Sequence, residues 1–198
     1  MHNLPAQPIP VGAAKSPDYL VSLGRASVYF EVKQIDEDES FWPPISSRTV
    51  GEHVRQKISE ARKQLQPSSK TGAPCVLLIY NNLDPMQVFG TEEHDFVSAM
   101  YGEKTVLLKD NAIVNSYYGR NAFLRENHNT SFSAVGHLRK TVEGASVCLY
   151  ENVYARNPLD YGSIPRCIEV RRVQLVESGA RARTGTLASY GRSVATHG

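Results

Sequence analysis

The stretch Ser16-Pro17-Asp18-Tyr19-Leu20-Val21-Ser22-Leu23-Gly24-Arg25-Ala26-Ser27-Val28-Tyr29-Phe30-Glu31-Val32-Lys33 decides how the rest of the chain is read. Two β-rich runs, Tyr19 to Leu23 and Ser27 to Lys33, are separated by Gly24-Arg25, which reads as a tight hairpin turn with glycine at its first central position. With Gly24 and Arg25 as turn residues, Leu23 pairs with Ala26, and counting outward sets Asp18 opposite Glu31. Residues directly opposite in an antiparallel pair share a face, with β-carbons about 4.5 to 5.5 Å apart. Lys33 lies two positions beyond Glu31 and joins them on that face, whereas Gln34 points to the other.

Two carboxylates side by side are unfavourable in a merely structural hairpin. They become sensible around a divalent cation, because hard Mg²⁺ is held by one or two carboxylates together with waters and phosphate oxygens. Asp18 and Glu31 are therefore the candidate metal ligands, and the backbone carbonyl of Val32 is a further candidate oxygen. The metal would lower the pKa of a bound water, while Lys33 positions or polarises that water for attack.

Beyond the hairpin come the acidic loop Asp36 to Glu39 and Trp42-Pro43-Pro44. Next, Val54, Ile58, Ala61 and Leu65 recur at helical spacing, with Ser46, Ser47 or Thr49 as candidate caps and Pro67 to Gly72 as the stop. Cys75 to Tyr80 is a continuous apolar run of strand length, the pattern of a central strand covered on both faces. A second helix is expected around Glu92 to Met100, and strands at Thr105 to Leu108, Ser131 to Leu138 and Ala145 to Tyr150. Ile168 to Val176 fits either strand or helix, and Asp110 to Asn129 fits no regular pattern. The expected fold is an α/β domain with a mixed central sheet flanked by helices.

Pro17-Asp18, then Glu31-Val32-Lys33, then a basic amphipathic helix and a buried strand, resembles the PD-(D/E)xK, or restriction-endonuclease-like, superfamily over roughly Ser16 to Asn82. Ser98-Ala99-Met100-Tyr101-Gly102, Ser133-Ala134-Val135 and Asn152-Val153-Tyr154-Ala155 look like an uncharacterised bacterial branch of it. The resemblance implies a hydrolase acting on phosphodiester bonds of nucleic acid, DNA in the first instance, with Mg²⁺ or Mn²⁺ on Asp18 and Glu31 and with Lys33 beside the scissile phosphate. It also implies a polar contribution from the following helix, for which Arg55, Lys57 and Gln64 are the candidate nucleic-acid contacts, and it is compatible with a homodimer that cuts two strands. Many superfamily members carry an acidic residue on a helix before the first strand. Met1 to Ser16 has neither, so the alternative is a catalytically impaired nucleic-acid-binding or assembly protein that keeps the nuclease fold.

At 198 residues, 41% hydrophobic and 21% charged, the chain fits one domain with a real core. Residues 1–15 read as a flexible lead-in, 16–177 as the nuclease-like domain and 178–198 as a mobile basic tail. Arg171, Arg172, Arg181, Arg183, Arg192 and Tyr190 are able to track a phosphate backbone or simply to solubilise the end. No apolar run is long enough for a membrane span and no signal peptide is evident, so a cytoplasmic location is expected. The net charge of +2 permits a polyanionic partner without demanding one. Cys75, Cys148 and Cys167 read as reduced packing residues, because no CxxC spacing occurs. The six histidines lack zinc spacing, and no GxxxxGK[ST] phosphate loop exists, which argues against nucleotide-driven chemistry.

Overall fold

In the computed structural model, Gly24 adopts φ 60°, a left-handed conformation that glycine takes without a Cβ penalty. The strands it joins, β2 (Tyr19–Leu23) and β3 (Ala26–Ile35), pair antiparallel with Leu23 opposite Ala26 and Tyr19 opposite Phe30. The structure describes residues 5–10, 15–24, 26–36, 49–83, 85–142, 144–176 and 186–192.

After β3 the chain crosses through α1 (Glu52–Lys70) into β4 (Cys75–Asn81), which runs parallel to β3. A parallel return requires such a crossover. Next come α2 (Glu93–Tyr101), a separate two-stranded hairpin of β5 (Glu103–Lys109) and β6 (Ala112–Arg120), then β7 (Ala134–Thr141), β8 (Gly144–Glu151) and β9 (Ile168–Val176). With β1 (Ala6–Pro8) and β10 (Thr186–Arg192) at its two edges, the main sheet is mixed and eight-stranded, in the order β1-β2-β3-β4-β7-β8-β9-β10.

Both helices lie on one face. Cys75, Leu77 and Ile79 of β4 and Val135 of β7 are covered there by Val54, Ile58, Ala61 and Leu65 of α1 and by Phe96, Ala99 and Met100 of α2. The opposite face, with Val28, Phe30, Val76, Leu78, Ala134 and Leu149, is roofed by Leu159, Tyr161 and Ile164 from the irregular segment between β8 and β9. Helices on both faces are therefore not needed: a loop rich in large apolar residues closes the second layer. With both faces covered, the β4 run Cys75 to Ile79 is buried throughout, as its unbroken apolar sequence requires.

Several boundaries differ from the sequence reading. Helix α1 runs past Pro67 for one more turn, since a proline there forfeits a single late helical hydrogen bond. Its cap is Gly51 with φ 76° rather than Thr49, while Ser46 and Ser47 lie outside the described residues. Part of the lead-in forms β1, and part of the tail forms β10. Ile168–Val176 is strand, paired parallel to β8. Among the described residues no helix is long and apolar enough to cross a membrane.

Candidate active site

The β2–β3 ladder closes at Tyr19–Phe30, and Asp18 lies one residue beyond it, near enough to Glu31 for its charge to act on that carboxyl. Two hydrogen bonds fix it there. The Asp18 N–H donates to the Phe30 carbonyl at 3.0 Å, and the Val32 N–H donates to Asp18 Oδ2 at 2.8 Å. Val32 thus enters the site through its amide, an interaction not visible in the sequence, which suggested only its carbonyl.

Glu31 is fully buried, on the helix-covered face beside Leu77 of β4. Its Oε1 accepts from Lys33 Nζ at 2.7 Å and from Gln64 Nε2 at 2.5 Å. Its Oε2 is buried with no hydrogen-bond partner. Burial pushes the Glu31 carboxyl above its ordinary value; the hydrogen bond and charge of Lys33 oppose this, the charge of Asp18 adds to it, and the Asp18 main-chain N–H opposes it least. A buried carboxylate oxygen without a donor is costly, and few native structures keep one without a reason. Here both side-chain donors sit on Oε1 and none reaches Oε2, with a second carboxylate nearby.

Gln64 reaches this site from the flank of α1 next to its buried stripe. Lys57 lies seven residues earlier on the same flank and pairs with Glu60 at 3.0 Å. Arg55 is placed differently from the sequence expectation. It is 9% exposed, and its guanidinium donates to the carbonyls of Val50 at 2.6 Å and Ser98 at 3.4 Å, bracing α1 against α2. Position 55 falls on the flank turned toward α2, which helical periodicity alone does not specify. Arg55 is thereby committed within the fold, whereas Gln64 and Lys57 share the flank that holds Glu31.

Of the acidic loop, Asp36 is described; it is exposed and accepts from the side chains of Gln34 and Asn82. Residues 37–39 lie outside the described residues. Arg171 pairs with Glu169 and Glu93, and Arg172 with Glu151 while lying 5.3 Å from the Tyr161 ring centroid, so both are engaged within the fold. Arg181 and Arg183 lie outside the described residues.

Glu92, His94 and Asp95 also bring potential metal-binding atoms together. Asp95 and Glu92 are occupied as a capping box at the start of α2, and Asp95 Oδ1 accepts from the Gly51 N–H at 2.7 Å. That arrangement explains the cluster as a helix start. His137 is buried, its Nδ1 accepting from Arg139 Nε at 3.0 Å, and all three cysteines are free. Burial pushes the Cys75 thiol up to about 12, consistent with an inert packing role.

No protein-family model, no curated protein and no solved structure matches this chain.

Proposed function

We propose that the chain is a metal-dependent nuclease of the PD-(D/E)xK kind, hydrolysing phosphodiester bonds in nucleic acid, DNA first, through Asp18, Glu31 and Lys33. The observation that carries this reading is the bare, buried Oε2 of Glu31 beside Asp18. An unpaired anionic oxygen in a water-poor setting is stabilised by a divalent cation more readily than by any neutral group. The order of hairpin, crossover helix and parallel buried strand also supports it, because that is the order the resemblance implies.

Asp18 and Glu31, with the Val32 carbonyl, would hold Mg²⁺ or Mn²⁺. When bound, the ion supplies an acidified water and offsets charge building on the phosphate. The residues divide the remaining work. The Val32 N–H fixes one Asp18 oxygen and leaves Oδ1 uncommitted among the described residues. Gln64 and Lys33 hold Glu31 Oε1, so the carboxylate presents Oε2. Lys33, 22% exposed at its side chain, is the cation placed to meet a phosphate and orient the attacking water.

The non-catalytic alternative is favoured by one observation: Lys33 is already paired with Glu31, as a purely structural lysine would be. Calorimetry with Mg²⁺ and Mn²⁺, alongside cleavage of plasmid, branched and single-stranded substrates, separates the two readings. The nuclease reading expects metal binding and metal-dependent cutting that falls about 100-fold or more in Lys33→Ala, the scale of a lost proton-transfer or positioning group. Absence of metal affinity, with nucleic-acid binding unchanged in Lys33→Ala, would establish the alternative.

A further inference from the structure

Helix α2 covers the β7–β8 pair at its Val135–Tyr150 end, where Phe96 stacks on Tyr150 at 4.5 Å and lies 5.8 Å from the ring of His137. His137 faces Cys148 and Arg139 faces Ser146 across the ladder, and strand alternation keeps these four on the face of Val135 and Tyr150. Ser146 is exposed, so the helical layer stops short of this last row. On the far side β10 pairs with β9 only from Arg171 onward, which leaves Ile168, Glu169 and Val170 as free edge among the described residues. The two gaps share one cavity of about 620 Å³, within the size range of small-molecule sites.

We infer that this cavity binds a small organic monoanion, a carboxylate carried on an apolar body, with Arg139 as its anchor. The Arg139 guanidinium is oriented in advance. Its Nε donates to Nδ1 of the buried His137 at 3.0 Å, while its two terminal nitrogens make no hydrogen bond or ion pair with a described residue. Arg139 lines the cavity, and its uncommitted edge is a planar two-donor fork that matches a carboxylate and is ordered before a ligand arrives. Charge limits the ligand to one negative unit. Arg139, Arg166 and Arg171 stand in the wall against Glu93 and Glu169, and Arg171 engages both carboxylates, at 3.5 and 2.8 Å. The wall thus holds one cation in excess, which a carboxylate neutralises, whereas a phosphate dianion brings surplus charge toward two glutamates. Val147, Ile164 and Ile168 supply an apolar stretch of the same wall, which favours a hydrocarbon body over a bare anion. None of Asp18, Glu31 and Lys33 lines the cavity, so the inference stands apart from the catalytic reading.

Octanoate tests it on the full chain without metal, by calorimetry and by NMR shifts of the Ser146 and Cys148 amides. Its dissociation constant is expected on the order of 0.1 to 1 mM, which an acid of about ten heavy atoms reaches in a formed pocket. Acetate, lacking the body, and octyl phosphate, carrying the extra charge, are each expected to bind at least about 10-fold more weakly. Octanoate is expected to lose at least about 10-fold in affinity for Arg139→Gln. Ser146→Asp sets an internal carboxylate opposite Arg139 at an exposed position and is expected to abolish binding with an unchanged melting temperature. No octanoate binding to the wild type by about 10 mM, shifts that bypass Ser146 and Cys148, or affinity unaffected in both variants would each overturn the proposal. So would octyl phosphate bound more tightly than octanoate, which would give the cavity to phosphate esters.

Discussion

Glu31 is the residue on which stability and proposed chemistry pull in opposite directions. Its folded-state pKa lies above the ordinary 4.5 because it is buried. The stability it contributes is therefore fully present below about pH 4.5 and is lost as pH rises through the raised value. Glu31→Gln removes that loss. Without metal, the variant is expected to match wild type near pH 4 and to gain about 1 to 3 kcal/mol by neutral pH, the scale of an unpaired buried polar group. Thermal melts across pH, with and without Mg²⁺, check this. Mg²⁺ at 100 times its dissociation constant is expected to raise wild type by about 2.7 kcal/mol and the variant not at all. A variant less stable at neutral pH, or equally responsive to Mg²⁺, would remove the basis for the metal site. The hairpin register from Leu23–Ala26 to Tyr19–Phe30 was legible in the sequence, because the turn determines it. Gln64 was one of three helix residues the resemblance offered, and that it rather than Arg55 reaches Glu31 was not legible, because that depends on how α1 is rotated over the sheet.

At the scale of elements, α1 shows what periodicity reveals and what it hides. The apolar spacing of Val54, Ile58, Ala61 and Leu65 identified the helix and its buried stripe. Its start was obscured, because Gly51 caps it without any side-chain hydrogen bond and is selected by a neighbour. A Cβ at Gly51 would lie 2.7 Å from the Asp95 carbonyl oxygen and 2.9 Å from the Ala99 nitrogen, both backbone atoms of α2. Gly72 has a similar left-handed φ of 92° but open space around it, so it isolates backbone strain from collision. Gly72→Ala is expected to cost about 1 kcal/mol and Gly51→Ala at least about 3, since the collision adds to the strain. Urea denaturation of both variants measures the difference, and equal costs would mean that α1 and α2 are not in such close contact. The weakly patterned elements escaped for related reasons. β1 and β10 are edge strands with little apolar alternation, and edges tolerate proline and polar residues. Residues 112 to 114 of β6 are exposed, and the strand meets β5 with a register shift, so no single period describes it.

For the whole molecule, the main sheet runs from β4, buried on two faces, to the exposed edge strand β1, and a separate β5–β6 hairpin is exposed from 106 to 114; stability is expected to follow that gradient. β4 sits between β3 and β7 with α1 and α2 above it and the segment after β8 below. Its amides from Cys75 to Ile79 are therefore expected to exchange with solvent only through global unfolding. Those of residues 106 to 114 at the tip of β5–β6 are expected to exchange by local opening. The site lies between these extremes, on the β2–β3 hairpin near one end of the strand order, where Val32 N–H is held by the Asp18 side chain and not by a neighbouring strand. That amide reports on the site. Asp18→Ala is expected to accelerate Val32 exchange at least about 10-fold, the loss of one charge-assisted hydrogen bond of about 1.5 kcal/mol or more, while leaving Cys75 to Ile79 at the global rate of the variant. Hydrogen exchange read by NMR distinguishes the outcomes. Val32 protection unaffected by Asp18→Ala would show that the side chain does not organise this end of β3, and β4 amides as labile as the β5–β6 tip would show that the second, loop-built layer does not close the core.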